Sequence, residues 1–129
     1  MAQHLLSERS FQLWAYSVSH CQLLIRSPRT ANDTENIDIA FYGVTFLQLP
    51  TNFLGLLVED GSPEELARIT SMVTDPLSVG TVYALTSGGK RSALTAAGIS
   101  VSRNTLEFSQ TDMDFMPLMK PGYRVIPDP

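Results

Sequence analysis

Residues 81–96 read TVYALTSGGKRSALTA, and this stretch decides the fold class. Apolar and polar side chains alternate on both sides of Gly88-Gly89, which is the period of half-buried β-strands. A Gly-Gly pair suits the two-residue turn of a β-hairpin, because both turn residues take positive φ angles. The pattern therefore predicts two antiparallel strands in which Tyr83 lies opposite Leu94.

The same alternation recurs along the rest of the chain. The other segments that predict half-buried strands are Phe11–Val18, Cys21–Ser27, Asn36–Tyr42, Ile99–Ser102 and Thr105–Ser109. A further run, Leu54–Val58, predicts a more deeply buried strand. About seven to ten short strands would form a curved antiparallel sheet, either a partly closed barrel or a two-layer sandwich.

Two turns set the expected strand pairing. A turn at Ser19-His20 would place Tyr16 opposite Leu23 and Trp14 opposite Ile25, with Trp14 and Tyr16 on the same face. A turn one residue later is nearly as good. A second turn, at Arg103-Asn104, would join the last two predicted strands into another hairpin.

One helix is well signalled over about 63–74. Ser62 can cap its N-terminus, Pro63 suits the first helical position, and Glu65 completes a capping box. The helix should fade before Pro76, because the residue before a proline avoids helical angles. Its expected apolar stripe consists of Leu66, Ile69 and Val73. Strands and one principal helix together predict an α+β fold dominated by antiparallel sheet.

Length and composition indicate one domain. A chain of 129 residues with 43% apolar and 17% charged residues is typical of a single globular domain, here 1–129. From about 110 to 129 prolines recur, which predicts an extended tail that crosses the surface. The expected docking points of this tail are Phe115, Met116 and Leu118.

Charge and cysteine content narrow the partners. Thirteen acidic residues against nine basic ones give a formal charge of −4. Because lysine and arginine provide most of the affinity for the phosphate backbone, nucleic-acid binding is not expected. No run approaches the roughly 18 apolar residues that span a bilayer, so no membrane association is expected. A lone cysteine, Cys21, excludes an intramolecular disulfide and suits a reducing compartment. The cytoplasm is the expected location of this acidic protein.

No motif for bond-making chemistry stands out. The two histidines are His4 and His20, and His20 adjoins Cys21. Adjacent strand residues point to opposite faces, so this pair would not easily bind one metal ion. Walker, Rossmann and nucleophile-elbow spacings are absent. The sequence therefore predicts no cofactor, no metal site and no catalytic residue.

The remaining feature is a surplus of aromatic side chains beyond what one sheet face must cover. Tyrosine and tryptophan anchor many protein interfaces. The candidate binding residues are Trp14, Tyr16, His20, Arg26, Asp38 and Tyr42. The leading hypothesis is a non-catalytic protein-interaction module that binds a protein partner or a second copy of itself. The alternatives are a β-barrel for a small apolar ligand, and a small enzyme with His20 as base near Arg26 or Asp38.

Overall fold

The computed structural model describes residues 2–76 and 79–107, which form one antiparallel sheet and one α-helix. The elements, in chain order, are β1 (Gln3–Ser17), β2 (Gln22–Ser27), β3 (Asn36–Tyr42), β4 (Phe46–Gln48), β5 (Asn52–Asp60), α1 (Pro63–Thr70), β6 (Thr81–Ser87), β7 (Lys90–Ala96) and β8 (Gly98–Asn104). The eight strands are hydrogen-bonded in the order β4-β7-β6-β5-β1-β2-β3-β8. The predicted β-rich fold is confirmed. The expected tail from about 110, with its docking points, lies outside the described residues.

The sheet is strongly curved without being closed. Its two ends are β4 and β8, yet β3 runs into β4 through residues 43–45 alone, and β7 runs into β8 through Ala97. Three linking residues span at most about 14 Å, so the two ends of the sheet lie close together. The rings of Phe41 on β3 and Tyr83 on β6 also meet inside the curve, with centroids 5.5 Å apart.

The Gly-Gly hairpin forms as predicted. Gly88 and Gly89 have φ angles of +57° and +76°, and Tyr83 on β6 lies opposite Leu94 on β7. Two positive φ angles match the twist of the flanking strands. The observed register is therefore the one that the local turn chemistry predicts.

The β1–β2 pairing is as predicted at one end only. Tyr16 lies opposite Leu23, but the register shifts after Leu13, which takes the place opposite Ile25 that was expected for Trp14. Trp14 is the extra residue of a β-bulge, and one extra residue reverses the face that a side chain takes. The prediction that Trp14 and Tyr16 share a face is therefore wrong.

The hairpin expected at Arg103-Asn104 does not form. Instead β8 continues to Asn104 and pairs along its length with β3, where Val101 lies opposite Ile39. Residues 105–107 are not a strand, and the rest of the predicted Thr105–Ser109 segment lies outside the described residues. Pairing with a distant apolar strand prevailed over a weak local turn signal.

The helix begins where its capping signals place it. The Ser62 hydroxyl accepts a hydrogen bond from the Glu65 amide at 3.1 Å, and the Glu65 carboxylate accepts one from the Ser62 amide at 2.8 Å. The α-helix is shorter than 63–74 and ends at Thr70, where the Ser71 hydroxyl donates to the Arg68 carbonyl at 2.6 Å.

Apolar side chains fill the inside of the curved sheet. The buried residues of this inner core are Phe11, Leu23, Ile25, Ile37, Ile39, Phe41, Val44, Phe53, Leu56, Val58, Tyr83, Leu85, Leu94 and Ala96. A second cluster forms where α1 packs on the outside of the sheet, and its buried members are Ile69, Val79, Val82 and Ala93. The helix thus covers the outer side of β6 and β7. It does not account for the burial of residues on the outer side of β2 and β3.

Candidate functional site

The candidate site is the outward surface of β1, β2 and β3. Along β2, Leu23 and Ile25 point into the inner core, so the residues between and beside them point outward. The same alternation along β3 turns its even-numbered residues outward. We call this surface the β1–β3 outer face, and its residues are Trp14, Gln22, Leu24, Arg26, Asn36, Asp38, Ala40 and Tyr42.

A buried ion pair lies at the centre of this face. Arg26 and Asp38 are directly opposite each other on β2 and β3. The arginine Nε donates to Oδ1 of the aspartate at 2.6 Å, and Nη2 donates to Oδ2 at 2.9 Å. The two side chains are 0% and 2% exposed. This bidentate pair fixes the plane of the guanidinium.

Trp14 lies against the same arginine because the bulge in β1 turns it outward. The guanidinium carbon of Arg26 is 5.4 Å from the centroid of the Trp14 ring, within cation–π range. Leu24 and Ala40 form a small buried cluster beside them, and Trp14 packs against it. The ion pair thus adjoins a small apolar patch formed by Leu24 and Ala40, which we call the apolar floor.

An asparagine network extends the site toward β8. The Asn104 amide donates to Oδ2 of Asp38 at 2.8 Å, and the Asn36 amide donates to the Asn104 side-chain oxygen at 2.7 Å. The Asn36 amide also donates to the Leu106 carbonyl at 2.9 Å, while its side-chain oxygen accepts from the Arg29 backbone amide at 2.7 Å. The network therefore holds the chain that leaves β8 at the rim of this face.

Two buried polar atoms of this face have no hydrogen-bond partner within the described part of the chain. They are Nη1 of Arg26 and the side-chain oxygen of Gln22. Because Nε and Nη2 bind Asp38, Nη1 lies on the side of the guanidinium away from that carboxylate. Gln22 and Arg26 are four positions apart on β2, a distance of about 13 Å, and Leu24 lies between them. A buried donor, Nη1 of Arg26, and a buried acceptor, the side-chain oxygen of Gln22, thus lie on either side of the apolar floor, and both lack a hydrogen-bond partner among the described residues.

The structure separates the predicted binding residues. It brings together Trp14, Arg26 and Asp38, and it places Tyr42 farther along the same face of β3, where this tyrosine is 37% exposed. Tyr16 shares the face of Leu23 instead, at the end of β1, and is 40% exposed. Burial raises the pKa of Tyr16, and the nearby Cys21 thiol contributes to the shift.

His20 lies in the exposed loop 18–21, at the far end of β2 from Arg26. Its Nδ1 is 2.9 Å from the Ser19 hydroxyl and 3.3 Å from that of Ser17. In the described residues its side-chain hydrogen bonds reach only Ser19 in this loop and Ser17 at the end of β1. The structure therefore does not bring His20 to the Arg26–Asp38 pair.

Sequence reasoning missed Gln22, Asn36 and Asn104. The first two sit at alternate positions with Arg26 and Asp38 on their own strands, so the strand period could have placed them on the same face. Asn104 had no such signal, because its contact with Asp38 depends on the β3–β8 pairing across 66 residues.

Polar clusters elsewhere serve the fold. Arg91 donates to Glu65 and to Glu59 at 2.8 Å, and the hydrogen bond from Arg91 lowers the pKa of Glu65 to about 2. At the start of β1, Asp60 lies 2.8 Å from Nε2 of His4, and this contact lowers the pKa of the Asp60 carboxyl. Both clusters tie neighbouring elements together at the surface.

Within residues 2–76 and 79–107, no three His, Cys, Asp or Glu side chains gather in a group that could hold a metal ion. The described chain also has no helix with the length and apolar character required to cross a bilayer. Comparison of the chain with protein-family models, curated proteins and solved structures found no match. The β1–β3 outer face is therefore judged on its own geometry.

Proposed function

We propose that this domain is a non-catalytic protein-interaction module whose recognition surface is the β1–β3 outer face. The observation that carries the proposal is the pair of unmet buried atoms, Nη1 of Arg26 and the side-chain oxygen of Gln22. Buried polar groups are almost always hydrogen-bonded in folded proteins. An extended polypeptide offers both complements, a carbonyl for the arginine and an N–H for the glutamine.

The surroundings of these atoms support a protein ligand. Leu24 and Ala40 offer an apolar floor for a side chain of the bound segment, and Trp14 and Tyr42 stand beside it. Tryptophan, tyrosine and arginine are the residues that most often dominate binding energy at protein interfaces. Such a site would bind the backbone groups and one apolar side chain of the same polypeptide segment.

Other ligand classes fit less well. A small apolar ligand would need an empty interior, whereas the inside of the sheet is filled by the inner core. Nucleic acid would need unpaired cations, whereas Arg26 is engaged by Asp38 and the chain has a net charge of −4. A protein partner or a second copy of this chain is the ligand class that we propose, at a cytoplasmic location.

The test is a selection from a random peptide library displayed on phage, followed by titration of one enriched synthetic peptide. We expect the peptide to bind the unmodified chain and to bind the Tyr42→Ala variant at least tenfold more weakly. The matched control is Leu54→Ala, an apolar residue that is 78% exposed and lies on β5, outside the β1–β3 outer face. Absence of enrichment, or equal binding to Tyr42→Ala, would contradict the proposal.

Light scattering after size-exclusion chromatography tests whether the partner is a second copy. A rise in mass with concentration that Tyr42→Ala abolishes supports self-association through this face. If the chain stays monomeric over a hundredfold range of concentration, the partner is a different protein and not a second copy.

A further inference from the structure

We propose that residues 108–129 of the same chain occupy the β1–β3 outer face and compete there with the partner. The competition rests on the proposed function, whereas the docking of the segment rests on the geometry below. The occupant is one stretch of this chain, in an extended conformation, with Phe115, Met116 and Leu118 as its apolar anchors.

The β1–β3 outer face is buried although it points away from the inner core. Leu24 and Arg26 are 0% exposed and Ala40 is 6% exposed, whereas the outward Leu54 on β5 is 78% exposed. A sheet face becomes buried when another layer of chain covers it. Among the described residues, the apolar side chains packed against Leu24 and Ala40 come from Trp14 and Ala15, which belong to the same sheet.

The segment follows Glu107, the last described residue of the chain. Leu106 is bound by Asn36 and Asn104, and Glu107 forms an ion pair with Arg29, so the described part of the chain ends at the rim of this face. From Asn36 to Ala40 is a distance of about 13 Å along β3. A segment the length of 108–129 reaches up to roughly 70 Å when extended. It can therefore cross the whole face.

The composition of the segment suits this face. Phe115, Met116 and Leu118 offer apolar side chains for the floor of Leu24 and Ala40, and methionine adapts its shape to irregular surfaces. Prolines at 117 and 121 favour an extended backbone, which keeps its carbonyl and N–H groups available. Such a backbone supplies the carbonyl that Nη1 of Arg26 lacks and the N–H that Gln22 lacks.

Covalent linkage favours the chain's own segment over a second copy as the occupant. A segment attached at the rim of its own site has a high effective concentration there, because linkage makes the docking intramolecular. A partner must then displace the segment, so its apparent affinity is reduced by the fraction of time that the face is occupied. The segment thus acts as a built-in competitor of the partner.

The test uses Trp14, the single tryptophan of the chain, as a probe of the face. In the full chain carrying Phe115→Ser, Met116→Ser and Leu118→Ser, we expect the emission of Trp14 to shift to the red. Its quenching constant with acrylamide should at least double, while far-UV circular dichroism and a cooperative melt are retained. Added synthetic peptide of residues 108–129 should restore the original quenching.

The matched control replaces three exposed apolar residues elsewhere, Leu6, Leu54 and Met72, with serine. This control should leave the quenching of Trp14 unchanged. Unchanged quenching in the folded variant of the segment would overturn the proposal. A fall in quenching of the unmodified chain as its concentration rises would also overturn it, because a second copy would then be the occupant.

A second measurement does not depend on the folding of that variant. With p-benzoylphenylalanine at position 115 of the otherwise unmodified chain, irradiation of the monomer should give cross-links to β1, β2 or β3. Cross-links confined to other elements would overturn the docking. The two proposals also fail separately: cross-links with no peptide binding reject the interaction module, and peptide binding with no response of Trp14 rejects the docked segment.

Discussion

The molecule buries two outward faces of one sheet in different ways. Where α1 packs over β6 and β7, the contact is made by apolar side chains such as Ile69, Val82 and Ala93. On the β1–β3 outer face, the buried groups include an ion pair, Arg26 and Asp38, with one arginine donor left unmet. The first face needs only an apolar cover, whereas the second needs a cover with polar groups at set positions.

This difference separates stability from specificity. Burial of apolar surface is favourable whatever the partner, as long as the shapes fit. A buried ion pair contributes little net stability but strongly penalises a cover that leaves its groups unpaired. We therefore propose that the helix-covered face serves folding and that the β1–β3 outer face serves recognition.

The largest expected effect comes from breaking the ion pair. Asp38→Ala leaves the Arg26 charge buried without its carboxylate, and we expect a loss of about 3–5 kcal/mol in the free energy of unfolding. Urea denaturation followed by far-UV circular dichroism measures it. Replacing both partners, as Arg26→Met with Asp38→Leu, should restore most of the loss; a loss below about 1 kcal/mol in Asp38→Ala would show that the pair is not effectively buried.

On the helix-covered face, Ile69→Ala should cost about 2–4 kcal/mol, because it removes a fully buried side chain and leaves a cavity. Leu66 on the same helix is 42% exposed, so Leu66→Ala is the matched control and should cost under about 1 kcal/mol. The same denaturation assay compares them. Equal losses for the two variants would mean that the helix does not pack through Ile69.

The helix start gives a smaller, pH-dependent effect. Ser62→Ala should cost about 1 kcal/mol through loss of the N-cap. Because the pKa of Glu65 falls to about 2 in the folded chain, its carboxylate stabilises the fold above the ordinary glutamate pKa of about 4.3. This contribution should disappear as the pH falls toward 2.

Comparing Glu65→Gln with the unmodified chain measures that contribution. The difference in free energy of unfolding should be largest at neutral pH and should shrink in acid. A difference that stays constant with pH would argue that the Arg91 contact does not depend on the charge of Glu65.

The smallest expected change in stability is at the rim of the recognition surface. Tyr42→Ala should alter the free energy of unfolding by about 0.5 kcal/mol, as is usual for partly exposed positions. It should nevertheless weaken peptide binding at least tenfold. Tyr16→Ala is the sharpest comparison, because Tyr16 is similarly exposed but on the opposite face. Fluorescence titration with the peptide measures the affinity of both variants. Equal losses of affinity would contradict the proposal that the peptide binds the β1–β3 outer face.

The sequence predicted those elements whose signals are local. The Gly88-Gly89 turn and the Ser62 capping box each involve residues within a few positions of one another, and both formed as predicted. Trp14 was placed wrongly because a single bulged residue reverses a whole strand face. The turn at Arg103-Asn104 was wrong because the partner of β8 is β3, far away in the chain.

The candidate site was predictable in part for the same reason. Arg26 and Asp38 were both among the predicted binding residues and lie on neighbouring strands, but the sequence placed either of them near His20 and did not pair them with each other. Their burial was not predictable, because a strand with alternating apolar and polar residues indicates that its outer face is exposed to solvent. Gln22 and the asparagines were missed since their roles depend on that burial and on the distant β8.

The most direct test of the recognition surface is a nuclear magnetic resonance titration of the isotope-labelled full chain with one library-selected peptide. We predict the largest shift changes at the Trp14 indole N–H, the Arg26 guanidinium and the Gln22 side-chain amide, with α1 unaffected. Changes confined to α1, β6 and β7, or spread evenly over the chain, would contradict the account.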